Sequence, residues 1–338
     1  MSDLEEFRLL AENDELRKAN EQLQVKLAKA KAKTDDLVQA TIDGAKQAML
    51  TLGPIKTPKP PAARKGKKAE VALWHLTDWQ IAKVTPTYNS DIARERVLRF
   101  CEKAAKLTEI QRADHPVNEC VICFGGDIGE GLFQYPHQPF EIDSSLFGQY
   151  VRGAQLCVEV VLAALATYPK ITVISEWGNH GRVGSKRAVV PPADNFDRMT
   201  YELARQLLAM SDADVRWDDS DQDIQHVEIG NYRALLIHGD EIGRHGYASR
   251  NTIVQGVNRW RSGAHPWEFR DVYVGHYHNH GEDSLANGDG SVFWTGSPES
   301  DNRYASDRLA ASSKPSQRLH FIDPVEGRVT AQFKVWLS

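Results

Sequence analysis

A chain of 338 residues, 41% of them hydrophobic, can bury one sizeable core and still carry an appendage. The formal charge of −5 points neither toward nor away from a polyanionic partner, and four cysteines are too few for a disulfide scaffold, which suits a reduced, cytoplasmic protein. No stretch reaches the roughly 18 uninterrupted apolar residues of a membrane helix, and the acidic start, Met1 to Glu6, lacks the basic and apolar regions of a signal peptide.

Residues 1–50 carry heptads. Leu9, Leu16, Leu23, Ala30 and Leu37 recur every seven residues as d positions, which sets Asn13, Asn20, Leu27 and Thr34 at a. Leucine at d with asparagine at a describes a parallel two-stranded coiled coil, because buried Asn side chains pair in register. Glu12 at g meets Arg17 at e of a second copy, while Lys26 and Lys31 oppose one another and weaken the later heptads. The expectation is a homodimer through residues 1–50.

Residues 51–69 read as a basic, proline-rich linker. Pro54, Pro58, Pro60 and Pro61 alternate with Lys56, Lys59, Arg64, Lys65, Lys67 and Lys68. Proline density makes an extended, semi-rigid spacer. Its charge serves either solvation or non-specific attraction to phosphate backbones.

Residues 70–338 form the third unit. Apolar runs at 71–76, 120–124, 171–174, 233–237 and 272–274 read as buried strands, with amphipathic helices at 92–113, 146–166 and 196–210 between the earlier ones. Beyond Asp223 the pattern turns β-rich, with strands expected at 291–295, 318–322 and 329–336. Such a chain builds an α/β fold with a central pair of packed sheets flanked by helices. Cys120 and Cys123 form a C-x-x-C inside the second run; a buried strand makes core packing the better reading of that pair than metal or redox chemistry.

The chemical signal lies in the residues just past each strand. The five tips carry Asp78 and Gln80, then Gly125-Gly126-Asp127 with Glu130, then Gly178-Asn179-His180, then His238-Gly239-Asp240, then His276 and His278. Strand ends converge on ligands in α/β sheets. Hard oxygen donors mixed with imidazoles suit Mn, Mg, Fe or Zn better than a thiolate-bound metal.

In order and spacing these tips resemble the signature of the calcineurin-like metallophosphoesterases: D-x-H, G-D-x-x-D, G-N-H-[DE], H, and G-H-x-H. The resemblance covers roughly residues 71–280 and the strands after them, and implies a four-layer α/β/β/α sandwich. It implies two divalent metal ions, manganese by preference. One is held by Asp78, Gln80, Asp127 and His278, the other by Asp127, Asn179, His238 and His276. The resemblance further implies that a hydroxide activated between them attacks phosphorus while His180 protonates the leaving oxygen or stabilises the transition state, which makes Asp127 and His180 the catalytic pair.

Three positions depart from the signature. Gln80 replaces a histidine, a weaker donor that suits harder ions. Glu130 replaces an aspartate. Gly181 replaces the acid after His180, which leaves the imidazole to be oriented from elsewhere, for which Asp240 is one choice. Arg182, Arg244 and His245 are expected to contact substrate, with Arg250 near them. The aromatic stretch 133–140 serves either to stack a base or to cover a sheet edge.

The basic linker, the arginines near the site and a dimerising arm together suggest a phosphodiesterase acting on nucleic acid. That reading is similar to the nuclease subunit of bacterial SbcCD-type complexes, or to a phage-encoded phosphoesterase. The alternatives are a small-molecule phosphodiesterase or phosphomonoesterase, and an interaction protein with a weakened site.

Overall fold

The computed structural model describes residues 56–66, 68–135, 138–183, 194–218, 220, 222–242, 248–300 and 314–338. The heptads of residues 1–50, the start of the linker, and Arg244 and His245 lie outside them.

The first strand, β1 (Glu70–Leu76), is buried along its whole length, as an apolar run covered on both faces must be. It pairs in parallel with β2 (Val117–Gly125), which pairs with β3 (Lys170–Glu176), which pairs with the short β4 (Val215–Trp217). Parallel neighbours need a crossover. These crossovers are α1 (Ser90–Gln111), α2 (Leu146–Leu165) and α3 (Phe196–Ala209).

The second sheet begins with the hairpin of β5 (Gln225–Ile229) and β6 (Tyr232–Ile237). Helix α4 (Arg250–Arg259) then leads into β7 (Asp271–Val274), parallel to β6, and on to β8 (Gly281–Ser284) and β9 (Ser291–Trp294). The chain returns to the first sheet as β10 (Ser316–Asp323) and β11 (Arg328–Trp336). The two strand orders are β11-β10-β1-β2-β3-β4 and β5-β6-β7-β9-β8.

Alternation along the strands divides the core. Leu73, Val121, Cys123 and Ile174 of the first sheet meet Val227, Ala234, Leu236 and Tyr273 of the second in one shared cluster. On the outer side of the first sheet, Trp74 meets Phe100 of α1 edge-on at 5.4 Å and Phe124 stacks on Tyr201 of α3 at 5.6 Å. On the outer side of the second, Leu235, Ile237, Val272 and Trp294 pack on Ile253 and Val257 of α4. The layers are therefore α/β/β/α, the sandwich that the sequence leads one to expect.

Helix starts obey their capping residues. The side chains of Asn89, Ser145, Asn195 and Ser249 each accept a first-turn backbone N–H of α1, α2, α3 and α4. Cys120 and Cys123 are both buried, and being three apart on a strand they face opposite layers, which rules out a shared metal or disulfide. Burial raises both thiol pKa values. No helix among the described residues is long and apolar enough to cross a membrane.

Candidate metal centre

The tips of β1, β2, β3, β6 and β7 come together, and the two sheets are joined there directly. His238, after β6, donates its Nδ1–H to the Gly125 carbonyl at the end of β2, 2.8 Å away. Asp78, Gln80, Asp127, His276 and His278 all have left-handed backbones, with φ between 42° and 61°. Such conformations cost non-glycine residues roughly 1–3 kcal/mol each, and they persist where surrounding structure imposes them. Here they turn side chains abruptly off the strand ends into one space. Close approach explains the neighbouring glycines: a Cβ on Gly178 would collide with the Asp127 carboxylate, and one on Gly126 with the Gly178 amide.

Four donors gather around one point, His238 Nε2 among them. Asp127 Oδ2 lies 3.1 Å from that nitrogen, Asn179 Oδ1 3.2 Å and His276 Nδ1 3.2 Å. Donors held about 2.1 Å from one ion at tetrahedral to octahedral angles lie about 3.0–3.4 Å from each other. The spacing therefore fits a single cation. Asp127, His238 and His276 are also the one group of three such side chains, among the described residues, whose ligating atoms are mutually close.

The electrostatics agree. Burial, with His238 alongside, lowers His276 to about 4, so that ring is neutral and ready to ligate. Burial opposes charge on both Asp127 and His238, but each outweighs it for the other. The carboxyl is held well below its usual range and the imidazole well above. An imidazolium here supplies the positive charge that a cation would otherwise supply.

Beside this group, Asp78 Oδ1 lies 3.3 Å from His278 Nε2. Asp78 is fixed by the Thr77 hydroxyl at 2.8 Å and the His276 N–H at 2.9 Å. The other side of His278 is taken, because Nδ1 faces Glu299 Oε2 at 2.8 Å. Gln80 stands close by, but its amide oxygen accepts from Lys83 Nζ at 2.9 Å while its amide nitrogen lies 3.1 Å from His278 Nε2. Lys83 is itself paired with Glu299 Oε1 at 2.8 Å. Burial works against its charge, and Glu130 and Glu299 more than offset that, raising its pKa.

His180 is positioned from behind. Its Nδ1 sits 2.8 Å from the Glu130 carbonyl, 3.1 Å from Gln138 Nε2 and 3.3 Å from Glu130 Oε2, and its Nε2 points toward Asp127 Oδ2 at 3.9 Å. Burial disfavours the imidazolium, yet Asp127 and Glu130 raise its pKa to about 9. Glu130, through its carbonyl and its carboxylate, thus takes the orienting role for which Asp240 is the sequence candidate, and Gln138 Nε2 holds that carbonyl at 2.7 Å. Asp240 instead pairs with Arg182 at 2.6 Å. Arg250 turns inward, donating to the Asn279 carbonyl at 2.8 Å and lying 4.9 Å over Trp294. Among the described residues of the 133–140 stretch, Phe133 and Phe140 are exposed, Phe133 stacks on Phe196 at 6.4 Å, and Gln134 and Gln138 are buried, Gln138 donating to the Glu130 carbonyl at 2.7 Å.

Asp197, in the first turn of α3, escapes sequence reasoning because an acid there reads as an ordinary helix-start residue. Its carboxylate accepts the backbone N–H of Asp127 at 2.7 Å, of Gly178 at 2.9 Å and of Ile128 at 3.0 Å. It thereby clamps the β2 and β3 tips together. Asp197→Ala leaves three buried donors without an acceptor, at about 1–3 kcal/mol each. A loss of at least about 3 kcal/mol in unfolding free energy, read from urea titration, is expected; an unchanged midpoint would show the clamp to be dispensable.

No family model and no curated protein matches the chain. Among solved structures, a zinc complex of Vps29 from Entamoeba histolytica aligns at 10% identity and TM-score 0.33, over 79% of this chain and 99% of that one. A predicted phosphoesterase from Streptococcus pneumoniae TIGR4 aligns at 11% identity and TM-score 0.29, over 79% and 98%. The sulfate thiohydrolase SoxB of Thermus thermophilus, bound to glycerol, aligns at 8% identity and TM-score 0.36, over 81% and 58%. Likenesses this distant carry no argument about chemistry, which rests on the distances between the donors.

Proposed function

We propose that the chain is a metal-dependent phosphoesterase of the calcineurin-like family that hydrolyses a phosphodiester. The observation that carries this reading is the set of donors 3.1–3.2 Å from His238 Nε2, with the His180 imidazole at its edge. Asp127, Asn179, His238 and His276 would hold a divalent ion; manganese is preferred, with Mg, Fe and Zn as alternatives. Such an ion supplies Lewis acidity and lowers the pKa of a bound water. The chain's own groups do the remaining work. Asp197 keeps the Asp127 tip in place, and the Glu130 carbonyl and carboxylate stop the His180 ring from turning. His180 Nε2 then faces the site with a proton to give to the leaving oxygen.

One observation favours a small phosphodiester over nucleic acid. The linker is tied to the far end of the first sheet: the Arg64 N–H donates to Asn118 Oδ1 and its guanidinium pairs with Glu109. Asn118 lies at the start of β2 whereas Asp127 lies past its end, so the linker at Arg64 stands a strand length away from the ligands. Arg182 and Arg250 are engaged within the protein, with Asp240 and with the Asn279 carbonyl. The nucleic-acid reading retains Arg244 and His245, and the amino-terminal heptads as a means of pairing two sites.

Salt separates the two substrates. With added Mn²⁺, hydrolysis of bis-p-nitrophenyl phosphate is expected to change little between about 50 and 200 mM salt. A nuclease making roughly six to ten phosphate contacts would lose about 10³–10⁵ in affinity over that range. Cleavage of labelled DNA at low salt, collapsing as salt rises, would overturn the small-ester reading. Absence of turnover with any divalent metal, in folded protein, would move the weight to an interaction role.

A further inference from the structure

We propose that the Lys83 ammonium stands in for the first of the two cations implied by the signature, so that the protein works with one divalent ion, on Asp127, Asn179, His238 and His276. The inference rests on the phosphoesterase reading but is tested apart from it.

Apart from the shared Asp127, the donors of the first position already have partners within the protein. The Asp78 carboxylate accepts the His276 N–H and the Thr77 hydroxyl. Gln80 is the decisive residue, because an amide can ligate only through its oxygen. That oxygen faces Lys83 Nζ at 2.9 Å, and the amide N–H₂ faces His278 Nε2 at 3.1 Å. Turning the amide over would bring its N–H₂ against the ammonium, donor to donor, so Lys83 fixes the orientation. His278 is held between carboxylates, its Nδ1 2.8 Å from Glu299 Oε2 and its Nε2 3.3 Å from Asp78 Oδ1.

The ammonium does not arrive there by chance rotation of a surface lysine. A tight turn over Gln80 and Ala82, with φ of 42° and 83°, folds the chain back, and Lys83 N–H donates to the Gln80 carbonyl at 3.0 Å. Nζ then meets Glu299 at 2.8 Å and lies 3.9 Å from Glu130. Its side chain is only 12% exposed. The replacement is coherent: where histidine would offer a metal-binding nitrogen, glutamine offers an oxygen suited to an ammonium, and lysine brings the charge. A divalent ion added beside that ammonium would face like charge, with only Asp78 and the shared Asp127 as carboxylates and an amide oxygen already turned to Lys83. No lysine or arginine among the described residues is paired with the donors around His238, which lie 3.1–3.2 Å from its Nε2.

Metal stoichiometry decides the matter. The full chain, stripped with EDTA and titrated with Mn²⁺ by calorimetry and metal analysis, should bind a single ion. Lys83→Arg should do the same. The double variant Gln80→His with Lys83→Met, verified as folded by circular dichroism, should bind two. If that variant does not fold, Gln80→His alone should still bind one, because the ammonium remains. Two ions of comparable affinity in the unaltered chain would overturn the proposal, as would a folded double variant still limited to one, or no ion bound at all. One bound ion without phosphodiester hydrolysis would remove the phosphoesterase reading and leave this one standing.

Discussion

Asp127→Asn should abolish both metal binding and metal-dependent hydrolysis while leaving the fold intact. Asparagine has the shape of aspartate, and its oxygen can still accept the His180 backbone N–H that Asp127 Oδ1 accepts at 2.8 Å. The backbone bond from residue 127 to Asp197 is unaffected, since it uses the main-chain N–H. What disappears is the anionic oxygen facing His238 Nε2. Loss of a residue merely supporting a metal ligand costs about 10–100-fold in affinity, and a direct anionic ligand should cost more. Turnover should fall by at least about 10³-fold, the upper range for deleting one preorganised electrostatic element. Manganese calorimetry and bis-p-nitrophenyl phosphate hydrolysis, run beside thermal melts, measure each part. Turnover close to that of the unaltered protein would show that chemistry happens elsewhere.

The legibility of the fold depends on where its signals are local. Buried strands such as β1 and β6 are apolar runs that end abruptly at polar residues, so both the strand and the ligand-bearing tip can be read in one window. β8 is Gly-Glu-Asp-Ser, a polar edge strand that exists because its backbone pairs with β9; no hydrophobic period reveals it. Helix α4 buries little more than Ile253, Gly256 and Val257, too short a stripe to stand out. The site divides the same way. Its donors are legible in order along the chain, whereas their partners are not. Gln80 meets His278 across 198 residues and Asp197 meets Asp127 across 70. Lys83, Glu299, Gln138 and Asp197 are ordinary polar residues in sequence and acquire their roles only when the sheets close. Asp240 shows the limit of proximity in sequence: it stands beside Gly239 in the His238 tip and yet serves Arg182 rather than His180.

His180→Gln should separate catalysis from metal binding. No donor in the group around His238 comes from the His180 side chain, and its Nε2 stays 3.9 Å from the shared Asp127 oxygen. Metal affinity should therefore hold while kcat falls about 10²–10⁴-fold, the range for a lost general acid. The size of the loss should depend on the leaving group. A p-nitrophenolate departs readily without protonation, whereas an alkoxide needs the proton that His180 Nε2 gives. The variant should thus be penalised more on an alkyl ester than on a nitrophenyl one. Asp127 and Glu130 hold the imidazole protonated at neutral pH, with a pKa of about 9, so the proton is available before substrate arrives. A cation drawing on the Asp127 charge weakens one of those two pulls and leaves Glu130, whose carboxylate lies 3.3 Å from Nδ1, as the other. Equal losses on both esters would deny His180 the acid role and assign it to holding phosphoryl oxygens. An unchanged rate on both would detach it from the chemistry, leaving a metal centre whose neighbouring histidine is only packing.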